Sequence, residues 1–240
     1  MNYDEMVEEI KQRKKYILEI GYILKDIDYF DYYWKSMINK RQHDGFFETY
    51  EVINWIGNKF KPKNILEIGT RTGGSIISLL YNYGNYENMN AYCFDIWWEY
   101  PTFRHFPFTA IKYLLPENMK EKKLMEKIKR NTEKCNIPYD DITFIGGNSG
   151  KTIPEFFKNN KELELDYALV DGSHERKDAL NDLNNVSRHM GKNGIMVFDD
   201  VGPDSHHLID MWNIFKTKNK NDFSFYEHMA GKGVAWAIKN

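Results

Sequence analysis

The sequence predicts an α/β fold built on a doubly wound sheet. Seven strands run parallel up to a closing antiparallel hairpin, with helices on both faces and a helical extension at the N-terminus. Three observations predict it. From residue 64 onward short apolar runs alternate with segments of helical periodicity, the pattern of a parallel sheet covered on both sides. The first run, Asn64-Ile-Leu-Glu-Ile, leads through a glycine turn, Gly69-Thr-Arg-Thr-Gly-Gly, into the start of a helix at Ser75. The last two runs are joined by residues 229–233, a short connection with two glycines that reads as a hairpin.

In chain order, Val7, Ile10, Ile17 and Ile20 recur at helical spacing and predict a first helix from about 3 to 20. An aromatic cluster follows, Tyr22, Tyr29, Phe30, Tyr32, Tyr33 and Trp34, suited to a lid, a subunit contact or packing. A second helix is expected over 46–60, stopped by Pro62. Strands are expected at 65–69, 91–96, 142–146, 167–171, 195–198, 223–228 and 234–238, and helices at 75–83, 118–133, 152–158, 174–190 and 206–217. This divides the chain into an extension, 1–44, which would be a lid or an oligomer contact, and one domain, 45–240.

The bulk properties exclude several classes. A hydrophobic content of 42% over 240 residues supports a sizeable core, and a net charge of −2 gives no bias toward nucleic acid or an anionic membrane. The basic stretch 120–134 carries Leu124, Met125 and Ile128 at helical spacing, so its charges form the solvated face of an amphipathic helix. Cys93 and Cys135 make no disulfide framework, which favours a reducing compartment. The acidic N-terminus (Asp4, Glu5, Glu8, Glu9) lacks the character of a signal peptide, and no run of about 18 apolar residues occurs. The expectation is a soluble cytoplasmic protein without membrane or nucleic-acid partners.

The first strand ends in Glu67, followed by Gly69, Thr70, Gly73 and Ser75. Glycines there let a nucleoside-bearing cofactor approach bare backbone, while the acid suits a ligand carrying a positive group. That fits S-adenosylmethionine better than a pyrophosphate. The second strand closes on Asp95, 26 residues past Gly69, where a carboxylate can accept both ribose hydroxyls. Ile96 would pack an adenine face, and Trp97 and Trp98 would sit over the mouth or in the core. After the third strand, Asn148 or Ser149 could bond the adenine edge, or the segment is a plain turn. Gly150-Lys151-Thr152 imitates a phosphate-binding loop, but residue 145, where that pattern needs its first glycine, is isoleucine.

Strand four ends Val170-Asp171-Gly-Ser-His174 and strand five Phe198-Asp199-Asp200. The carboxyl ends of the strands share one rim, where two carboxylates about 4 Å apart repel by roughly 4 kcal/mol at an effective dielectric of 20. Such a cluster is neutralised by proton uptake or by a cation, and an all-oxygen set selects Mg²⁺, Ca²⁺ or Mn²⁺. Adjacent strand residues point to opposite faces, so Asp199 and Asp200 can share an ion only if the strand has ended by then; Val201-Gly202-Pro203 makes that plausible. His174, expected in the first turn of the next helix, could serve the rim as a base. His206 and His207 would line the entrance or lie on the surface.

Together these residues resemble the class I S-adenosylmethionine-dependent methyltransferases, and within them the metal-dependent O-methyltransferases of the macrolide-sugar and cephalosporin-pathway type and, more distantly, the catechol type. The resemblance covers about residues 45–240 and rests on Glu67, Gly69 and Gly73, on Asp95, on Leu169-Val-Asp-Gly-Ser-His174 and on Val197-Phe-Asp-Asp200. The 28-residue step from Asp171 to Asp199 is the one this family uses between metal ligands. It implies a Rossmann-like seven-stranded methyltransferase sheet, with Asp171, Asp199 and Asp200 holding Mg²⁺ and His174 as general base. It also implies Glu67 and the glycine turn on the amino-acid part of S-adenosyl-L-methionine, Asp95 on its ribose, and Asn148 and Ser149 on its adenine, with Asp171 also at the cofactor. The family more often has an acid at the position of Asn148. The implied reaction methylates a hydroxyl of a small molecule or sugar, in a chain that could form a homo-oligomer. The alternatives are a metal-independent methyltransferase of small molecules or glycans, and an ATP-binding, P-loop-like module.

Overall fold

The structure is a computed structural model that describes residues 2–24, 47–96, 117–205 and 208–240, with backbone alone over 117–124. The described elements are α1 (Tyr3–Lys11), α2 (Lys14–Ile23), α3 (Thr49–Phe60), β1 (Asn64–Ile68), α4 (Gly74–Leu80), β2 (Asn90–Asp95), α5 (Glu117–Lys134), β3 (Ile142–Gly146), α6 (Ser149–Asn159), β4 (Leu165–Val170), α7 (Arg176–Ser187), β5 (Met190–Asp199), α8 (Ile209–Asn219), β6 (Phe223–His228) and β7 (Val234–Lys239). The strands form one sheet in the order β3-β2-β1-β4-β5-β7-β6. Strands β1 to β5 pair in parallel, and β7 runs antiparallel between β5 and β6. The chain reverses its winding direction between β1 and β4, which opens a crevice at their carboxyl ends.

The strand alternation sorts the core into two layers. Ile65, Cys93, Tyr167, Leu169, Ile195 and Val197 join one cluster with residues of α1 to α4. Leu66, Ile68, Phe94, Ala168, Val170, Met196 and Phe198 join a second with residues of α6, α7 and α8. Glu67, Asp95, Asp171 and Asp199 all have the odd parity of the first layer. One face of the sheet therefore delivers four acids to one rim.

The predicted first helix is two helices. Gln12 and Arg13 form a turn between them, which lets Met6 and Ile10 on α1 and Ile17 and Ile20 on α2 reach the same core. Tyr3 ties this layer to the hairpin, its hydroxyl donating to the Glu227 carbonyl at 2.8 Å and its ring lying parallel to Tyr226 and Trp236. On α3, the Trp55 indole N–H donates to Glu9 at 2.7 Å. The aromatic residues Tyr29, Phe30, Tyr32, Tyr33 and Trp34 lie outside the described residues; Tyr22 is exposed. Strand β5 begins at Met190, earlier than expected, because the Gly191–Gly194 segment pairs on through an irregularity opposite Leu165 and Tyr167. No described helix is long and apolar enough to cross a membrane.

Candidate active site

The glycine turn after β1 is held by backbone geometry. Gly69 has φ +91° and Gly73 φ +82°, conformations that cost side-chain-bearing residues dearly. A Cβ on Gly69 would lie 1.8 Å from the carbonyl oxygen of Asp171, so the turn and the end of β4 are in direct backbone contact. The Gly69 N–H donates to Phe94 O at 2.9 Å, Asp171 N–H to Ile68 O at 3.0 Å, and Gly147 N–H to Asp95 O at 2.8 Å. These bonds carry the ladder past the strand ends and fix four loops relative to one another. Helix α5 closes the turn from outside: a Cβ on Gly73 would touch the Ile128 side chain at 3.1 Å, and Asn131 donates to Thr72 O at 3.4 Å.

The acids of this turn are buried. Glu67 is 1% exposed; its Oε1 accepts from the Ser75 hydroxyl at 2.8 Å, and its Oε2 has no hydrogen-bond partner among the described residues. Burial pushes its carboxyl up to about 7 against the lowering influence of the Ser75 and Thr70 hydroxyls, with Asp95 adding to the rise. Asp95 accepts the Arg71 N–H at Oδ2 (2.6 Å), and its buried Oδ1 has no hydrogen-bond partner among the described residues. Burial raises Asp95 to about 6 even though the backbone N–H groups of Arg71 and Ile96 favour the charged form. The expectation is that Asp95 accepts both ribose hydroxyls; its Oδ2 also accepts the Arg71 N–H of the turn. Ile96 follows β2 directly and is half-buried. Trp97 and Trp98 lie outside the described residues, as do His206 and His207.

Asn148 is exposed at the N-cap of α6, while the Ser149 hydroxyl donates to buried Asp182 at 2.9 Å. The Ser149 side chain is thus anchored to α7, and Asp182 was not foreseen. Only two residues separate β3 from α6, too few for a loop that wraps a phosphate, and Lys151 is exposed on the helix.

At the other side of the crevice, β5 ends at Asp199 and Asp200 takes φ +62°. That left-handed residue breaks the alternation which would otherwise send the two aspartates to opposite faces. Donor atoms of Asp171, His174 and Asp200 lie within 4.8 Å of one another. His174 Nε2 is 3.0 Å from Asp200 Oδ2. It sits in the loop two residues before α7, not in its first turn as expected. Asp199 is oriented differently: its Oδ1 accepts from the Thr49 hydroxyl at the start of α3, and its Oδ2 faces the Lys232 ammonium at 3.6 Å. Lys232 also reaches Asp200 Oδ1 at 3.0 Å.

The electrostatics follow from this crowding. Desolvation holds the Asp171 carboxyl well above the usual range, and the charges of Asp199 and Asp200 push it further. Asp199 is raised by desolvation as well, with Lys232 pulling the other way. Asp200 is also desolvated, but the hydrogen bond from His174 and the Lys232 charge prevail and hold it at about 2. Thr49 and Lys232 carry no motif and were missed by the sequence reading; only the glycines flanking Lys232 hinted at a built turn.

A pH dependence of stability follows. A carboxyl raised by folding contributes stability that is complete below its unfolded value and is lost as the pH rises through its folded value. Glu67 (4.5 to about 7), Asp182 (3.8 to about 7) and Asp95 (3.8 to about 6) all act in this sense. Asp200, lowered from 3.8 to about 2, acts oppositely, and only at more acid pH. The unliganded protein is expected to lose stability between about pH 4.5 and 7. Denaturant midpoints across that window should decline, and Glu67→Gln should flatten the decline; a midpoint that rises through the window would contradict it.

A seven-stranded sheet in this order, with an acid one residue before the end of β1, one closing each of β2 and β5 and another just past β4, is the class I methyltransferase fold. A family model described as "Methyltransferase domain" matches residues 66–201, and the chain belongs to that family. No curated protein matches the chain in sequence. Among solved structures the chain is similar to an O-methyltransferase from Bacillus cereus in complex with SAH, at 14% identity and a TM-score of 0.58 over 100% of this chain and 93% of that one. It is also similar to the O-methyltransferase TomG from Streptomyces achromogenes, involved in tomaymycin synthesis and bound to SAM, at 14% identity and a TM-score of 0.57 over 80% and 79%. The SAH-bound methyltransferase PaMTH1 from Podospora anserina matches at 15% identity and a TM-score of 0.55 over 93% and 87%.

Proposed function

We propose that the protein is an S-adenosylmethionine-dependent O-methyltransferase that methylates a hydroxyl of a small molecule or sugar with the help of Mg²⁺. One observation carries the reading: the Asp171–His174–Asp200 cluster adjoins, through the Gly69–Asp171 backbone contact, a turn beside which Glu67 and Asp95 each keep a buried oxygen without a partner among the described residues. Unpartnered buried carboxylate oxygens are costly unless a ligand completes them, so Glu67 Oε2 and Asp95 Oδ1 fit a cationic nucleoside. The complexes of the Bacillus and Streptomyces neighbours with SAH and SAM support the same cofactor. Asp171 and Asp200 would hold the cation, joined by Asp199 where its Oδ2, now facing Lys232, turns to it; their oxygens suit a hard divalent ion.

S-adenosylmethionine supplies a methyl group on sulfonium, and the divalent ion supplies Lewis acidity that eases loss of the acceptor's hydroxyl proton. The chain's own residues do the rest. His174, exposed on the solvent side of Asp200, receives that proton at a ring nitrogen, and Asp200 orients and stabilises the resulting imidazolium. Glu67 and Asp95 orient the cofactor, and Asn148 and Ser149 border its adenine. The proximity of the two bound reactants supplies much of the acceleration. The small-molecule acceptor accords with the neighbour involved in tomaymycin synthesis, and the free, buried thiols of Cys93 and Cys135 suit the cytoplasm. A metal-independent methyltransferase is the second reading, favoured by the Lys232 ammonium lying between Asp199 and Asp200.

The test is transfer of labelled methyl from S-adenosylmethionine to a panel of phenols, sugars and hydroxylated scaffolds, in chelator and after Mg²⁺ is restored. Activity that collapses in chelator and returns with Mg²⁺ is expected. Full activity in chelator would leave the second reading in place, and transfer only to nitrogen or carbon acceptors would overturn the O-methyl assignment.

A further inference from the structure

The carboxylate rim already contains a cation. Lys232 lies in the turn between β6 and β7, and that turn is built into the site. Its backbone N–H donates to Glu48 Oε1 at 3.4 Å, and its carbonyl accepts from Gly202 N–H, two residues past Asp200. The turn and the loop after β5 touch so closely that a Cβ on Gly202 would lie 2.5 Å from Gly231 O and Gly233 N. The root of the Lys232 side chain is therefore fixed. Its ammonium spans Asp200 Oδ1 at 3.0 Å and Asp199 Oδ2 at 3.6 Å. Asp200 is 1% exposed, so this is not one of the solvated pairs that contribute almost nothing.

A divalent ion coordinates carboxylate oxygen at about 2.0–2.6 Å. With an ion on Asp200 and the ammonium still 3.0 Å from its Oδ1 and 3.6 Å from Asp199 Oδ2, the two positive charges would stand only about 4–5 Å apart at a desolvated rim and repel each other. Lysine can yield. Its side chain is 33% exposed, its charge is a compact point on a flexible stem, and a path to solvent is open. Resting on the metal-dependent reading above, we propose that the Lys232 ammonium is the resting occupant of the divalent-cation site, displaced when the ion binds. It gathers the carboxylates in the metal-free enzyme and holds the affinity for metal down.

The test uses Mn²⁺ alone as probe, counted by the paramagnetic resonance of the free ion, on the full chain and on Lys232→Met and Lys232→Arg. Lys232→Met is expected to bind Mn²⁺ about tenfold or more tightly than the parent, and Lys232→Arg, which keeps the charge, no more tightly than the parent. Equal or weaker binding by Lys232→Met overturns the proposal alone, and no binding by any of the proteins overturns the metal-dependent reading with it. A second measurement needs no variant. Acetylation of Lys232, followed by peptide mass spectrometry on the parent protein, should accelerate several-fold on saturation with Mg²⁺. An unchanged rate while Mg²⁺ binds contradicts displacement.

Discussion

Replacing His174 with alanine is expected to slow methyl transfer by about 10²–10⁴-fold, the usual contribution of a positioned general base. Binding of S-adenosylhomocysteine should change by no more than about threefold, since the loss belongs to the transition state rather than to ground-state affinity. The expectation rests on placement. His174 lies 3.0 Å from the buried Asp200 carboxylate, yet its own side chain is 44% exposed. A base needs both an orienting partner and access, and among the described residues with donor atoms at this cluster His174 combines the two. Steady-state kinetics with a fixed acceptor, beside calorimetry with S-adenosylhomocysteine, separate the alternatives. Undiminished turnover removes the base assignment, and a collapse of cofactor affinity would make His174 structural instead.

Gly69→Ala is expected to have the largest effect on stability, more than about 4 kcal/mol, beyond the ordinary range for single substitutions. Two costs add. Alanine at φ +91° is strained, and its methyl group would sit 1.8 Å from the Asp171 carbonyl oxygen, a backbone atom that no side-chain rotation can move aside. Relief requires β1 and β4 to separate at the point where the cofactor turn meets the carboxylate rim. Circular dichroism melts should show loss of a cooperative transition near the parent's. Any protein that survives should bind S-adenosylhomocysteine more weakly than the parent. Parent-like melting and binding would mean that the contact is looser than described. Gly84, at φ +96° with open space around its Cβ position, is a useful control, because there only the conformational cost applies.

How much of this was written in the sequence varies with distance along the chain. The Glu67 turn, Asp95 at the end of β2 and the acids after β4 and β5 were legible, because a strand end is a local pattern and the parallel sheet brings strand ends together automatically. The +62° φ of Asp200 breaks the strand alternation after Asp199, which no composition rule announces for an aspartate, but Asp199 itself faces Thr49 and Lys232 rather than the Asp171–His174–Asp200 cluster. Thr49 and Lys232 were not legible. Thr49 meets Asp199 across 150 residues, and Lys232 arrives on a hairpin whose register depends on β7 inserting between β5 and β6. Ser149, read as a strand-end residue, opens helix α6 three residues past β3, and the pull of Asp182, a buried acid on a different helix, could not be inferred. The break between α1 and α2 escaped for a related reason. Polar residues 11–15 can continue a helix, and the need of both apolar faces for one core ends it instead.

The central claim is that the glycine turn with Glu67 and Asp95 is a site for S-adenosylmethionine, and thermal melting with S-adenosylhomocysteine tests it most directly, beside ATP and NAD controls. At about 100 times its dissociation constant the ligand adds roughly 2.7 kcal/mol, or on the order of 5–10 °C for a chain of this length. The account predicts a shift of that size with S-adenosylhomocysteine, much reduced in Asp95→Ala, and none with the controls. No shift with S-adenosylhomocysteine and a clear one with ATP would contradict it.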